Sequence, residues 1–124
     1  MKRHLGVVTT KRGDFSQILL DKLGVGQYFD VVVGIESVSF PKPNAQPILL
    51  ALQILNAKEK GISNDRIFMI GDTILDIQAA TNAQIQPIGV LSGYGNKEQL
   101  SAYNAPLYPN ALEAIESIAQ KCTF

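Results

Sequence analysis

Two carboxylates stand four residues apart, at Asp72 and Asp76, directly after the apolar run 67–70. The run predicts a short buried strand that ends at Gly71. In open α/β sheets, ligands bind beyond the carboxyl ends of the strands, and Asp76 falls one helical turn after Asp72 on the same face. Acids clustered there predict a divalent cation such as Mg²⁺. Asp also caps helices and suits the positive helix end, so the motif alone leaves capping and cation binding open.

Two further polar groups follow predicted strands: Thr9-Thr10-Lys11 after the first strand, and Lys42 in the loop after the second. Hydroxyl and backbone N–H donors at the start of a helix suit phosphate oxygens, and a lysine can neutralise phosphate charge. Taken alone, Thr9 is an ordinary β-former at a strand end and Lys42 an ordinary solvated lysine. Because parallel strands bring these groups to the same sheet edge as the two aspartates, the sequence predicts a magnesium–phosphate site.

Strand-like and helix-like segments alternate along the chain, which predicts an α/β fold, a doubly wound, Rossmann-like parallel sheet with helices on both faces. The predicted strands are 5–8, 30–35, 67–70, 87–91 and 106–108. Residues 92–95 are expected to form a loop and 97–103 a short helix.

We expect Asp14, Asn44 and Asn110 to cap three helices. The apolar stripes expected to be buried are Ile18, Leu19, Leu20 and Leu23; Ile48, Leu52 and Leu55; Ile74, Ile77, Ala80 and Ala83; and Leu112, Ile115 and Ile118.

Composition limits the class of protein and its partners. The chain has 124 residues, 46% of them hydrophobic, and is expected to form a single domain over residues 1–124. Eleven basic residues balance eleven acidic ones, which argues against nucleic acid or an anionic membrane as a partner. Cys122 is the sole cysteine, so an internal disulfide is excluded. No apolar run has the length of a membrane span or a signal-peptide core, so we expect a cytoplasmic location, and we expect His4 to be exposed.

Several motifs occur in the order typical of one enzyme family. They are Val7-Val8-Thr9, residues 28–32, Lys42-Pro43 with Pro47, residues 71–80, and Gly89-Val90 followed by Gly93-Tyr94-Gly95. With these motifs the chain resembles the haloacid dehalogenase (HAD) superfamily, in its phosphoglycolate phosphatase-like subgroup. The resemblance implies a HAD-like core and a Mg²⁺-dependent phosphatase of small phosphate monoesters that acts through an aspartyl-phosphate.

The resemblance also implies roles for the polar residues at the strand ends. Thr9, with Thr10 beside it, would bind the transferring phosphoryl group, and Lys42 would stabilise charge on the nucleophile and the phosphate. Asp72 would ligate Mg²⁺, and Asp76 would complete the metal site by positioning the metal's waters or Lys42. Lys42 and Asp76 are therefore the expected catalytic residues, and the expected partner is a small phosphorylated metabolite.

The sequence departs from this family at its start. Family members begin with a strand that ends in Asp-x-Asp-x-Thr, whose first Asp is the nucleophile and whose second is the general acid/base, and a cap domain normally follows. No Asp-x-Asp occurs in these 124 residues. Because a bound metal cannot replace the nucleophile, we expect the chain alone to be inactive.

The absent segment also supplies the central strand of the family's sheet. We expect the Thr9 strand and the Asp72 strand to pair directly, or a strand from a homo-oligomer or a separate N-terminal segment to fill the position. The reason is that unpaired buried backbone groups cost about 1–3 kcal/mol each.

An alternative function is a non-catalytic phosphate- or metal-binding remnant, or an interaction module derived from the fold. A signalling receiver domain is disfavoured, because it needs an acidic pair where the first strand here ends in threonines.

Overall fold

The computed structural model describes residues 3–91, 97–101 and 105–122. The chain separates into two compact units, Met1–Ile62 and Ser63–Phe124. Strands and helices alternate as predicted, and the pairings of the described strands are parallel. The elements are β1 (Gly6–Val8), α1 (Gly13–Lys22), β2 (Val31–Val33), α2 (Gln46–Ile54), β3 (Phe68–Gly71), α3 (Ile74–Asn82), β4 (Gln86–Val90), α4 (Lys97–Ser101), β5 (Leu107–Tyr108) and α5 (Ala111–Cys122). The parallel α/β architecture is therefore confirmed.

In the first unit, β1 and β2 form a parallel pair in which Val8 lies beside Val33. The three consecutive valines of β2 favour an extended strand, because β-branched side chains are stiff and pack well on a pleated surface. Val31 and Val33 are buried and pack with Ala51 of α2. This small core holds the two strands side by side, with Thr9 directly beyond the end of β1.

Asp30 holds the start of β1. Its carboxylate accepts the amide proton of Leu5 at 3.0 Å, and its own amide donates to the Leu5 carbonyl at 2.7 Å. The prediction that His4 is exposed is wrong, because its side chain is 17% exposed and its Nδ1 lies 3.8 Å from an oxygen of Asp30. The contact joins residues 26 positions apart, which no local pattern indicates.

Helix α1 begins at Gly13, and Asp14, the predicted cap, is its second residue. That prediction is wrong because an acceptor from elsewhere in the chain takes the first amide of the helix. The Glu36 carboxylate accepts the amide proton of Gly13. Its two oxygens lie 2.8 and 2.9 Å from the Gly13 nitrogen. The predicted end of the helix is confirmed by Gly24, whose φ of 77° lies in the left-handed region that favours glycine.

The apolar stripe predicted to bury α1 is largely exposed. Ile18, Leu19 and Leu23 are 52%, 58% and 65% exposed, and Leu20 is half-buried. Consecutive helical residues point about 100° apart, so Ile18, Leu19 and Leu20 cannot share one face. The half-buried side is instead the one that carries Ser16 and Leu20, four residues apart.

The N-cap residue of helix α2 is Ala45, one residue after the predicted cap Asn44, whose side chain still bonds the helix start. Oδ1 of Asn44 accepts the amide proton of Gln46, the first helical residue, at 2.9 Å. This bond satisfies one of the amides that lack a helical partner. Of the predicted stripe, Ile48 is buried, whereas Leu52 and Leu55 are half-buried.

In the second unit, β4 lies between β3 and β5 in a three-stranded parallel sheet, and β5 is an edge strand as predicted. One face packs on α5 through buried residues: Ile88, Val90, Ala114 and Ile118. The other packs on α3 and α4 through a second cluster: Ile77, Leu100, Ala105, Leu91 and Leu107. Gly89 leaves room on that second face, because a Cβ there would lie 2.6 Å from Cδ2 of Leu107. Helices therefore cover both faces of this sheet, as predicted.

The predicted stripe is confirmed for three of its four residues at α3 and is wrong in part for α5. Ile77 and Ala80 of α3 and Ala83 directly after it are buried, whereas Ile74 is half-buried. In α5, Ile118 is buried, whereas Leu112 and Ile115 are 65% and 50% exposed. The reason is that α5 meets the sheet through Ala114 and Ile118, four residues apart, which leaves Leu112 and Ile115 on other sides of the helix.

The Asn110 cap of α5 is confirmed, because Oδ1 of Asn110 accepts the amide proton of Glu113 at 3.0 Å. In the described part of the chain, no helix has the length and apolar character of a membrane span. The predicted loop 92–95 and the end of the predicted helix 97–103 lie outside the described residues.

The described strands belong to two separate sheets, β1-β2 and β3-β4-β5. The prediction that the Thr9 strand pairs directly with the Asp72 strand is therefore wrong for the described residues. Strand β1 instead takes β2 as its partner, and β3 takes β4. A strand supplied by another chain stays a prediction, as does a single domain over residues 1–124.

Candidate functional site

Thr9 stands at the end of β1 in a loop held by hydrogen bonds. Its amide donates to the Val33 carbonyl at 3.0 Å, which extends the β1–β2 pairing by one residue. Its hydroxyl accepts the amide proton of Lys11 at 3.1 Å and so closes a tight turn around Thr10. Thr9 is half-buried and Thr10 exposed. The turn therefore presents one oriented and one exposed hydroxyl at the carboxyl end of β1.

Carboxylates of the chain itself already occupy the amide donors at the start of α1. Glu36 takes the amide proton of Gly13, and Oδ1 of Asp14 accepts that of Phe15 at 2.8 Å. Both acids suit the positive end of the helix. The amides of Gly13 and Phe15 are therefore already bonded to side chains of the protein, and phosphate binding by Thr9 and Thr10 stays a prediction.

Arg12 and Asp14 form an exposed ion pair beside this loop. Nη2 of Arg12 lies 2.8 Å from Oδ2 of Asp14, and Nε donates to Oδ1 at 3.1 Å. The hydrogen bond from Arg12 lowers the pKa of the Asp14 carboxyl, and the same bond raises the pKa of the guanidinium. The guanidinium also lies over the ring of Phe15, 5.2 Å from its centre. The pair keeps opposite charges together at the helix start.

Lys42 reaches the end of β1 from the loop that precedes α2. Its Nζ donates to the Val8 carbonyl at 3.1 Å, across 34 positions of the chain, and its side chain is half-buried. Oε1 of Gln46 shapes this loop by accepting the amide protons of Ser39 and Phe40 at 2.9 and 2.7 Å. The structure thus brings Lys42 to the residue that precedes Thr9.

In the second unit, Thr73 rather than Asp72 caps helix α3. The hydroxyl of Thr73 accepts the amide proton of Asp76 at 3.4 Å, and Oδ2 of Asp76 accepts the amide and hydroxyl protons of Thr73 at 3.2 and 3.0 Å. This is a reciprocal capping box. Asp72 is half-buried and lies between the end of β3 and the cap. Capping is therefore the work of Thr73 and Asp76.

Gly71 allows the Asp76 side chain to pack against the end of β3. A Cβ at Gly71 would lie 2.2 Å from Cβ of Asp76 and 2.4 Å from its Oδ2, distances that real atoms do not reach. Asp76 is only 5% exposed, the one charged residue among the buried residues of the described chain. A buried carboxylate needs hydrogen bonds or a cation to offset its desolvation, and Thr73 supplies hydrogen bonds.

The donor set of Asp72 and Asp76 fits Mg²⁺. This ion prefers oxygen ligands and is usually bound by one or two carboxylates, with waters and substrate phosphates filling the remaining positions. Within the described residues no group of three or more His, Cys, Asp or Glu side chains could hold a metal. Two carboxylates at a strand end are therefore what the second unit offers such a cation.

The structure places the predicted site residues in two groups. Thr9, Thr10 and Lys42 lie together at the end of β1 in the first unit, and Asp72 and Asp76 lie together at the end of β3 in the second. Sequence reasoning missed Glu36, because its partner Gly13 is 23 positions away and neither residue belongs to a local pattern. The one indication in the sequence is that Glu36 is an acidic residue in the loop after β2.

Comparisons with known proteins indicate the family to which the chain belongs. Residues 1–90 match the haloacid dehalogenase-like hydrolase family. Over 99 residues the chain is 37% identical to the pyrophosphatase PpaX of Bacillus velezensis, a match that covers 80% of this chain and 44% of that protein. Over 96 residues it is 36% identical to the phosphoglycolate phosphatase of Escherichia coli K12, covering 77% of this chain and 36% of that one.

A solved structure of a predicted phosphatase from Clostridium acetobutylicum superposes with a TM-score of 0.80 at 29% identity, covering 94% of this chain and 52% of that one. The chain belongs to the haloacid dehalogenase-like hydrolase family, and the resemblance inferred from its motifs is confirmed. It spans about half the length, or less, of these relatives.

Proposed function

We propose that this chain carries the phosphate- and metal-binding residues of a Mg²⁺-dependent phosphatase that acts on small phosphate monoesters through an aspartyl-phosphate. The 124 residues contain no Asp-x-Asp motif to supply the nucleophile. The chain alone is therefore inactive, and turnover needs a polypeptide that carries that motif. The same polypeptide would provide the strand that completes the family's sheet.

The placement of Lys42 is the observation that carries this proposal. An ordinary loop lysine would extend into solvent, whereas Lys42 is half-buried and donates to the carbonyl of Val8. This places a positive charge at the end of β1, one residue before the Thr9 hydroxyl. A cation and an oriented hydroxyl at the carboxyl end of a parallel strand are the groups that a phosphate dianion needs.

Each polar residue then has a specific task. The Thr9 hydroxyl accepts the proton of the Lys11 amide, so its own proton can be donated to a phosphoryl oxygen. Thr10 presents a second hydroxyl beside it. Lys42 offsets the negative charge of the phosphate and of an attacking carboxylate. These residues bind and orient the phosphoryl group but do not attack it.

Asp72 and Asp76 would hold Mg²⁺, which when bound would offset charge on the phosphoryl oxygens. The capping box fixes the Asp76 carboxylate, because Thr73 donates both its amide and its hydroxyl proton to it. Asp72 is attached to the rigid end of β3 through Gly71. The second unit therefore contributes one carboxylate, that of Asp76, with little freedom to rotate, which lowers the entropy lost on binding a cation.

A non-catalytic phosphate- or metal-binding module is the second candidate function. The absence of Asp-x-Asp from the 124 residues favours it, because binding needs no nucleophile. The two functions share the binding step and differ in turnover. Hydrolysis that appears when a polypeptide with the Asp-x-Asp strand is added would select the first.

The metal site is tested by titrating the purified chain with Mg²⁺ and recording ¹H–¹⁵N NMR spectra. We expect the amides of residues 71–76 to shift, and Asp72→Asn to weaken Mg²⁺ binding by at least about tenfold, since it removes one of two carboxylate ligands. Asp65→Asn, an exposed aspartate of the same unit, is the matched control and should bind as the unmodified chain does. A chain that shows no Mg²⁺ response would contradict the metal site.

Turnover is tested with p-nitrophenyl phosphate and Mg²⁺. We expect the purified 124-residue chain to release no nitrophenol above the blank. Magnesium-dependent hydrolysis that Asp72→Asn abolishes would overturn the proposal that the chain alone is inactive, while leaving the binding residues in place.

A further inference from the structure

Glu36 holds the start of α1 from a distant part of the chain. It lies in the short 3₁₀ turn Ile35–Ser37 that follows β2, and its two carboxylate oxygens lie 2.8 and 2.9 Å from the amide nitrogen of Gly13. Nε of Arg12 lies 3.8 Å from the same carboxylate. A bond between an amide and a carboxylate is charge-assisted and about twice as strong as a neutral one.

Two glycines make this approach possible. A Cβ at Gly34 would lie 2.0 Å from the Gly13 nitrogen and 2.3 Å from Oε1 of Glu36. A Cβ at Gly13 would lie 2.9 Å from the same oxygen. The backbones of the two glycines therefore pack without side chains so that the Glu36 carboxylate can reach the helix start.

The last residue of β2 and the segment after it also hold the loop that carries Thr9. The Thr9 amide donates to Val33, and the Ile35 amide donates to the Lys11 carbonyl, each at 3.0 Å. The bond from Gly13 to Glu36 comes two residues after Lys11. The loop of residues 9–13 is thus attached at three successive points, and the Thr9 hydroxyl lies between the first two.

We propose that Glu36 is a positioning residue for phosphate binding: its carboxylate fixes the start of α1 and with it the turn in which Lys11 orients the Thr9 hydroxyl. The proposal rests on the proposed function, because it assigns Glu36 to the same phosphate site. The negative charge of Glu36 acts against an anion nearby, whereas its hydrogen bonds act in favour of an ordered loop. The two effects have opposite signs and can be separated by substitution.

The first test needs no ligand and measures hydrogen exchange of single amides by NMR. In Glu36→Ala we expect the amides of Lys11 and Ile35 to exchange about tenfold faster or more, while the Leu55 amide at the end of α2 is unchanged. Glu36→Gln keeps one acceptor oxygen and should restore part of the protection. Equal acceleration of all amides, or no change at Lys11 and Ile35, would overturn the positioning role.

The second test measures the affinity of the purified chain for inorganic phosphate, from the shifts of the Thr9 and Thr10 amides. We expect Glu36→Ala to weaken binding by about tenfold, because the hydroxyl is no longer held in place. Asp14→Asn is the matched control: it removes a negative charge from the same helix start without releasing the loop, so binding should be unchanged or tighter.

The outcomes separate the two proposals. If the unmodified chain binds no phosphate, the proposed function fails at this site, and with it the phosphate-positioning role, whereas the exchange result still establishes whether Glu36 orders the loop. If the unmodified chain binds phosphate and Glu36→Ala binds it equally well or more tightly, Glu36 does not position the loop and the inference is wrong.

Discussion

Two strand-to-helix junctions of this protein, β1 to α1 and β3 to α3, place a carboxylate at the start of a helix by different means. At the second junction the carboxylate is local, because Asp76 and Thr73 cap each other three residues apart. At the first it is distant, because Glu36 reaches Gly13 across 23 positions. Both arrangements satisfy amide donors that lack a helical partner and both suit the helix dipole.

The difference determines which task each junction can perform. At the second junction the capping aspartate is also one of the two expected metal ligands, so one side chain orders the helix and is held in place by it. At the first junction the distant carboxylate occupies the helix start and leaves binding to the threonine hydroxyls and to Lys42. In the proposed function, one junction therefore offers carboxylates to a cation, and the other offers a cation and hydroxyls to an anion.

The largest effect on stability is expected from substitutions that fill the space beside each carboxylate. Gly34→Ala and Gly71→Ala would bring a Cβ within 2.0 Å of the Gly13 nitrogen and 2.2 Å of the Asp76 Cβ, respectively. We expect each to lower the free energy of unfolding by about 3 kcal/mol in urea denaturation. Gly61→Ala is the control: it meets no atom within 4 Å but has a φ of 70°, so it should cost about 1 kcal/mol. Losses at Gly34 and Gly71 no larger than at Gly61 would refute the close packing.

A smaller effect is expected from removing the local cap. Thr73→Ala deletes the hydroxyl that accepts the Asp76 amide proton, and we expect a loss of about 1 kcal/mol in the free energy of unfolding. Thr73→Ser keeps that hydroxyl and should retain most of the stability. If serine costs as much as alanine, the methyl group of Thr73 rather than its hydroxyl stabilises the junction.

The smallest effect is expected from the exposed ion pair at the first junction. Because the hydrogen bond from Arg12 lowers the pKa of Asp14 in the folded chain, the pair contributes stability above the ordinary carboxyl value of 3.8, and this is lost as the pH falls below it. Asp14→Asn should therefore unfold slightly more readily than the unmodified chain at pH 6, and the difference should vanish at lower pH. The difference should also shrink in 1 M salt, and a difference that persists in acid would exclude the carboxyl as its source.

The sequence predicts most elements because their signals are local. The valines of β2, the left-handed Gly24 and the cap at Asn110 each depend on a few neighbouring residues, and the structure confirms them. The buried faces of α1 and α5 are predicted poorly. Apolar residues in these helices occupy more than one side, and which side is buried depends on what packs against it.

The type and order of the chemical groups were set by the sequence alone: threonines after β1, a lysine before α2, and two aspartates around the start of α3. These motifs identify the family because the polar residues that follow each strand lie in short stretches of neighbouring residues. Only the tertiary structure decided that Lys42 meets the end of β1, that Glu36 rather than Asp14 takes the first amide of α1, and that Thr73 is the cap of α3. The first two contacts join residues far apart in the chain, whose approach is fixed by parallel strand pairing and by glycines that leave room. The third is a choice among neighbouring polar side chains, which backbone geometry makes once the strand and the helix have formed.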